Sequence, residues 1–193
     1  MSGNIEGAIE HLEKAVSINA EDFRYTQFLS ILYSWNGQHE NAIHQFEKIL
    51  KKVESENFHE NPFTFVFRHR YAYSLWETGQ KEKARQLFEE QIESDKRDIE
   101  QGIDSYWQFY DLAGTYAFLG KSQEAIQSLE NAYNKPGAFF NADYTLADPL
   151  FNSIKDDPKF VALINKEKGR RNKMRENVNL WEESNSMRLL FDN

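Results

Sequence analysis

Four glycines in this chain, Gly3, Gly37, Gly79 and Gly120, each precede an alanine by five residues: Ala8, Ala42, Ala84 and Ala125. Each alanine is followed four residues on by a large apolar side chain: Leu12, Phe46, Phe88 and Leu129. One spacing used four times marks a repeated supersecondary unit, so it constrains the fold more than any single residue does. The glycines lie 34, 42 and 41 residues apart. A second pattern sits eight and four residues before each of the last three: Leu29/Tyr33, Tyr71/Leu75 and Leu112/Tyr116. Small residues follow the first of each pair, at Ser30, Ala72 and Ala113. Apolar positions at i and i+4, a glycine, then i, i+4 and i+7 describe two amphipathic helices joined by a short turn. Glycine accepts the left-handed conformation that ends the first helix. The small residues let the paired backbones approach closely.

Composition narrows the class of work. The chain has 193 residues, 40% of them apolar and 28% charged, which suits a folded domain or a short run of repeats. Its net charge of -8 argues against non-specific nucleic-acid binding and against docking on an anionic membrane surface. With zero cysteines there is no disulfide, thiolate nucleophile or thiolate-bound zinc. No apolar run approaches the length of a membrane span, and none follows Met1 as a signal peptide would. A cytoplasmic protein is the expectation, although a mature exported protein would read the same.

These residues together resemble the tetratricopeptide repeat, whose pattern runs aromatic, Leu-Gly, Tyr, turn glycine, Ala, Phe, Pro. The best unit spans Tyr25 to Val53, with Leu29, Tyr33, Gly37, Ala42 and Phe46 in place. A second good unit holds Phe109, Leu112, Ala113, Tyr116, Gly120, Ala125, Leu129 and Ala132. Arg68 to Ile92 is a weaker third. The resemblance implies an all-α, right-handed α-solenoid with C-terminal capping helices. Three regions follow: a repeat array over 1–134, capping helices over 135–165 and a charged C-terminal helix over 166–193.

The chain departs from the family pattern in three places. The longer intervals place extra residues at Glu54–Phe63 and Ser94–Asp104, as longer helices or as loops. The family proline is missing after the first three hairpins. Ile5 to Ile18 reads as the second helix of a hairpin whose first helix would precede Met1, so a partner helix is expected from elsewhere. Further on, Ala138 to Ala147 fits a short helix with Phe139, Phe140 and Tyr144. Asp148-Pro149 and Asp157-Pro158 form two acid–proline helix starts. The stretch Asp148 to Ile164 is similar to the tail closing such arrays in bacterial multidomain regulators, which implies a bacterial origin and a C-terminal place in a larger protein.

What the family implies for function is protein–protein interaction without catalysis. The first helix of each hairpin would line a concave groove that holds a protein or peptide segment. The wall residues expected to make contact are Trp35, His69, Tyr73, Trp76, Trp107, Tyr110 and Phe118, with Arg24 and Val66 extending the wall. The competing expectation is that the insertions or the C-terminal helices fill the groove and bury these rings. A carboxylate clamp of Lys and Asn residues, known in the family, is disfavoured. The corresponding positions hold Gln27, Ile31, Val66 and Arg70, of which only Arg70 fits.

Other candidates read blandly. The basic run Lys166, Lys168, Arg170, Arg171, Lys173 and Arg175 is most simply a solvated helix face. His39 and His44 lie five apart, not the four of a helical zinc pair. No cofactor and no metal are expected. A homodimer through the incomplete first repeat, or through the stripe Met174, Val178 and Trp181 of the last helix, is the structural alternative. So is a scaffold module in a larger bacterial signalling or catalytic protein.

Overall fold

The computed structural model describes residues 5–20, 22–55, 68–135 and 142–191, with side chains for all of these but 53–55 and 184–191. Among the described residues the chain is entirely helical, with no strand. Helices α1 (Ile5–Ile18), α2 (Phe23–Trp35) and α3 (His39–Ser55) are followed by α4 (Arg68–Glu77) and α5 (Lys81–Glu100). Then come α6 (Tyr106–Phe118), α7 (Ser122–Asn134), α8 (Ala142–Ala147), a 3₁₀ turn (Pro149–Ile154) and α9 (Pro158–Phe191).

The repeat spacing becomes three hairpins: α2/α3, α4/α5 and α6/α7 hold the most extensive helix–helix contacts. In each, the first helix stops two residues before its glycine and the second starts two after. Gly37, Gly79 and Gly120 have φ of 74°, 86° and 75°, a region L side chains rarely enter. Following amides close each turn, with the Gln38, Gln80 and Lys121 N–H groups donating to Tyr33, Leu75 and Tyr116 carbonyls. At the crossings Ala42, Ala72, Ala84, Ala113 and Ala125 are wholly buried, as close backbone approach demands. Ala8 is exposed: α1 packs chiefly on α2, and Ile9 is its buried residue.

Consecutive hairpins also share a polar link. The Tyr33 hydroxyl donates to Glu13 Oε1 at 2.5 Å, and the Tyr71 hydroxyl to Glu47 Oε1 at 3.3 Å. The extra residues at 94–104 extend α5 to Glu100; Gly102 (φ 85°) then turns the chain and Ser105 caps α6 through the Trp107 amide. Of the insertion expected at 54–63, the first two residues end α3; residues 56–63, together with Val66, Phe139 and Phe140, lie outside the described residues.

Both acid–proline starts are helix starts. The Leu150 amide donates to Asp148 Oδ1 at 3.1 Å, and the Lys159 amide to Asp157 Oδ1 at 2.8 Å. Helix α9 runs through residue 166 without a break. The core falls into two clusters, and adjacent residues of the 3₁₀ turn join them. Phe151 packs with α6, α7 and α9, while Leu150 packs with the cluster built from α1 to α5. No described helix is long and apolar enough to cross a membrane.

Candidate interaction surface

The wall expected to hold a ligand is the face shared by α2, α4 and α6. Part of it is occupied by the chain itself, because the 3₁₀ turn packs on α6. Gly114 makes room for it: a Cβ there would lie 3.1 Å from Leu150 Cδ1. A helix-interior glycine costs about 1 kcal/mol relative to alanine, so a close approach of this kind explains its use. The Ser153 hydroxyl adds a bond to the Ala117 carbonyl at 2.5 Å.

Asp148 anchors this plug. Arg70 Nη1 and Nη2 donate to its two carboxylate oxygens, each at 2.5 Å, and the Tyr110 hydroxyl donates to Oδ2 at 3.2 Å. Arg70 is 2% exposed and Asp148 0%. Burial works against the charge on Arg70, but the adjacent carboxylate outweighs it and holds the guanidinium more firmly protonated than usual. The position that matched a carboxylate clamp in sequence thus grips a carboxylate from the same chain. Sequence reasoning assigned Asp148 only a capping role. Sequence offered a nearer acid, since Asp111 lies nine residues before Gly120 as Arg70 lies nine before Gly79, and no local signal pointed to Asp148 instead.

Beneath this clamp lies a polar core shared by α4, α5 and α6. His69 Nε2 is 3.5 Å from Asp111 Oδ1, and Gln91 Nε2 donates to Asp95 Oδ1 at 2.9 Å. Gln91 lies alongside His69, yet neither imidazole nitrogen has a hydrogen-bond partner of good geometry. Burial, and then the Arg70 charge, pull the His69 pKa well below its usual value, so the ring is neutral. Burial lifts Asp95 to about 7 despite the Gln91 bond, with the Asp98 charge adding to the rise, and lifts Asp111 strongly as well, with the Asp95 charge adding to it.

The seven candidate wall residues therefore divide. His69 and Tyr110 are fully buried, the latter stacked on Tyr106 and edge-on to Phe151, so neither reaches the surface. Trp35, Tyr73, Trp76, Trp107 and Phe118 are partly exposed. Three of these five come together. Tyr73 meets His39 and Phe118 edge-on at 5.4 and 5.6 Å, and Trp76 meets Phe118 edge-on at 5.6 Å. Lys81 and Arg85 place their charges 5.2 and 5.4 Å from the Trp76 ring centre. The result is an aromatic row along the turn end of all three hairpins. Burial, with Glu77 and Asp148 nearby, raises the Tyr73 hydroxyl to about 12, so it stays a donor at any ordinary pH. Trp35 stands apart under Arg70 and beside Tyr144, and Trp107 sits at the far end of α6 against Tyr106.

Among the described residues no three His, Asp or Glu side chains are grouped as a metal site would require. The family model of the tetratricopeptide repeat matches residues 67–98. That span takes in α4 and nearly all of α5, the hairpin that sequence ranked as the weaker third unit. Repeats of this family generally mediate protein–protein interaction and are generally non-catalytic. No curated protein and no solved structure was found to match the chain.

Proposed function

We propose that this chain is a non-catalytic protein–protein interaction module, its hairpins stacked as a right-handed tetratricopeptide-like superhelix that holds a segment of another protein. The tail Asp148–Ile164 would be the closing element of such an array, of the kind found in bacterial multidomain regulators. The observation that carries the reading is the half-exposed row Tyr73, Phe118 and Trp76, held edge-to-face on a preorganised frame. Rigid aromatic surface with one wet side is characteristic of binding hot spots, and a frame already in place lowers the ordering cost of docking. Lys81 and Arg85 over Trp76 favour a segment that presents an acidic residue beside its apolar anchor. Trp35 and Trp107 extend the contact, while His69 and Tyr110 support it from beneath.

The test is a displayed peptide library selected on the intact chain, with the recovered peptide titrated calorimetrically against variants. Tyr73→Ala and Trp76→Ala should each weaken binding about thirtyfold, the mark of a hot spot, with far-UV circular dichroism unchanged. Equal affinity for wild type and both variants would reject this surface.

A further inference from the structure

The second half of α9 leaves the body of the protein. The base of the helix is tied down: Lys166 pairs with Glu130 at 3.0 Å, Lys168 with Asp143 at 3.5 Å, and Glu167 takes both Arg170 and Arg171. From Asn172 to Glu183 every side chain is exposed. Met174, Val178 and Trp181 show 55%, 53% and 66% of their surface, and at spacings of four and three they fall on one narrow face. Helix formation in water is marginal without tertiary packing, and this stretch adds Gly169, Asn172, Asn177 and Asn179, none of them strong helix formers. An exposed apolar stripe on such a helix calls for an occupant.

We infer that the occupant is a second copy of this chain, its α9 lying antiparallel to the first. Charge selects both the partner and the direction. With Met174, Val178 and Trp181 as the seam, Arg175 and Glu182 flank it on the same side, one heptad apart. An antiparallel pair brings this flank against its own copy, so Arg175 meets Glu182 of the second copy and Glu182 meets its Arg175. A parallel pair would bring Arg175 against Arg170 of the second copy instead, a repulsion. The antiparallel pair also sets Val178 opposite Trp181 across the two-fold axis, and the patch is self-complementary as an isologous dimer requires.

Sedimentation equilibrium on the full chain at tens of micromolar should give twice the 22.8 kDa chain mass. Trp181→Glu and Val178→Asp should each give the monomer mass with the circular dichroism of the repeats retained. Arg175→Glu or Glu182→Arg alone should weaken the dimer about tenfold, and the two together should restore it. The chain has no cysteine, so direction is read by cross-linking. Val178→Cys, near the axis, should form a disulfide. Arg171→Cys, about 20 Å from its equivalent in the antiparallel pair, should not. A chain monomeric throughout, which leaves the stripe to a different protein, overturns the inference. So do a dimer indifferent to Trp181→Glu, a charge swap that fails to restore pairing, and an Arg171→Cys dimer that cross-links.

Discussion

By distance from the next glycine, α2 and α6 are the same element of the repeat, yet seven of thirteen residues are buried in α2 and ten of thirteen in α6. Tyr25 and Phe28 of α2 remain 36% and 42% exposed, whereas Gln108 and Asp111, at the same distances from Gly120 in α6, are 7% and 3% exposed. The difference is not written in the helices. It comes from what is packed around them: the 3₁₀ turn, outside the repeat pattern, lies on α6, and the hairpin α4/α5 precedes it with His69 3.5 Å from Asp111, whereas α2 follows α1. A repeat array therefore does not present one uniform wall. What a given inner position does depends on what non-repeating chain is laid over it.

The largest effect should come from breaking the plug at its charged anchor. Arg70→Ala or Asp148→Ala leaves the other charge buried without its partner, and should cost about 3–5 kcal/mol in urea unfolding. Next, Leu150→Ala should cost about 3 kcal/mol, while Phe28→Ala on the open α2 should cost under about 1 kcal/mol. Equal losses would mean that the plug adds no packing beyond that of the open helix.

A titration sharpens the same contrast. Asp95 has a folded pKa raised to about 7, above the usual carboxyl value of 3.8, so the folded state holds its proton more tightly than the unfolded state. Stability from this group is full below pH 4 and is lost as pH rises through 7. Facing it are Gln91 and Asp98 on its own helix, Arg68 and His69 on α4 and Asp111 on α6. His69, whose pKa is lowered, acts in the opposite sense: its contribution is lost as pH falls below 6.5. Asp111, also raised, acts in the same sense as Asp95 and only His69 opposes them, so wild-type stability should fall as pH rises from 4 to 7. Relative to wild type, Asp95→Asn should gain about 4 kcal/mol on going from pH 4 to pH 8, measured as a urea midpoint series. A difference that stays flat with pH would show that Asp95 does not hold its proton. Tyr33→Phe removes the Glu13 bond between α1 and α2 and should cost about 1 kcal/mol, measured by urea unfolding.

The hairpins were legible because their cause is local. Gly37, Gly79 and Gly120 each need a left-handed turn, and Ala42, Ala84 and Ala125 each need a close crossing, so spacing alone places them. The aromatic wall was legible only as a list of rings. Sequence put Tyr73 and Tyr110 on one face, but exposure depends on a segment 38 residues beyond Tyr110 that carries no repeat signal. Asp148-Pro149 was readable as a helix start, and its cap is there. Its second use, neutralising Arg70, is a pairing across 78 residues that no local rule supplies. The polar core of His69, Asp95 and Asp111 was illegible for the same reason, since each lies on a different helix.

The 78-residue reach between Arg70 and Asp148 has a consequence for how the molecule is made. During synthesis the guanidinium on α4 emerges long before its counter-charge, and until then it must stay wet or sit in a dry interface alone. The middle hairpin is thereby kept from consolidating early, and its completion waits for the tail to arrive.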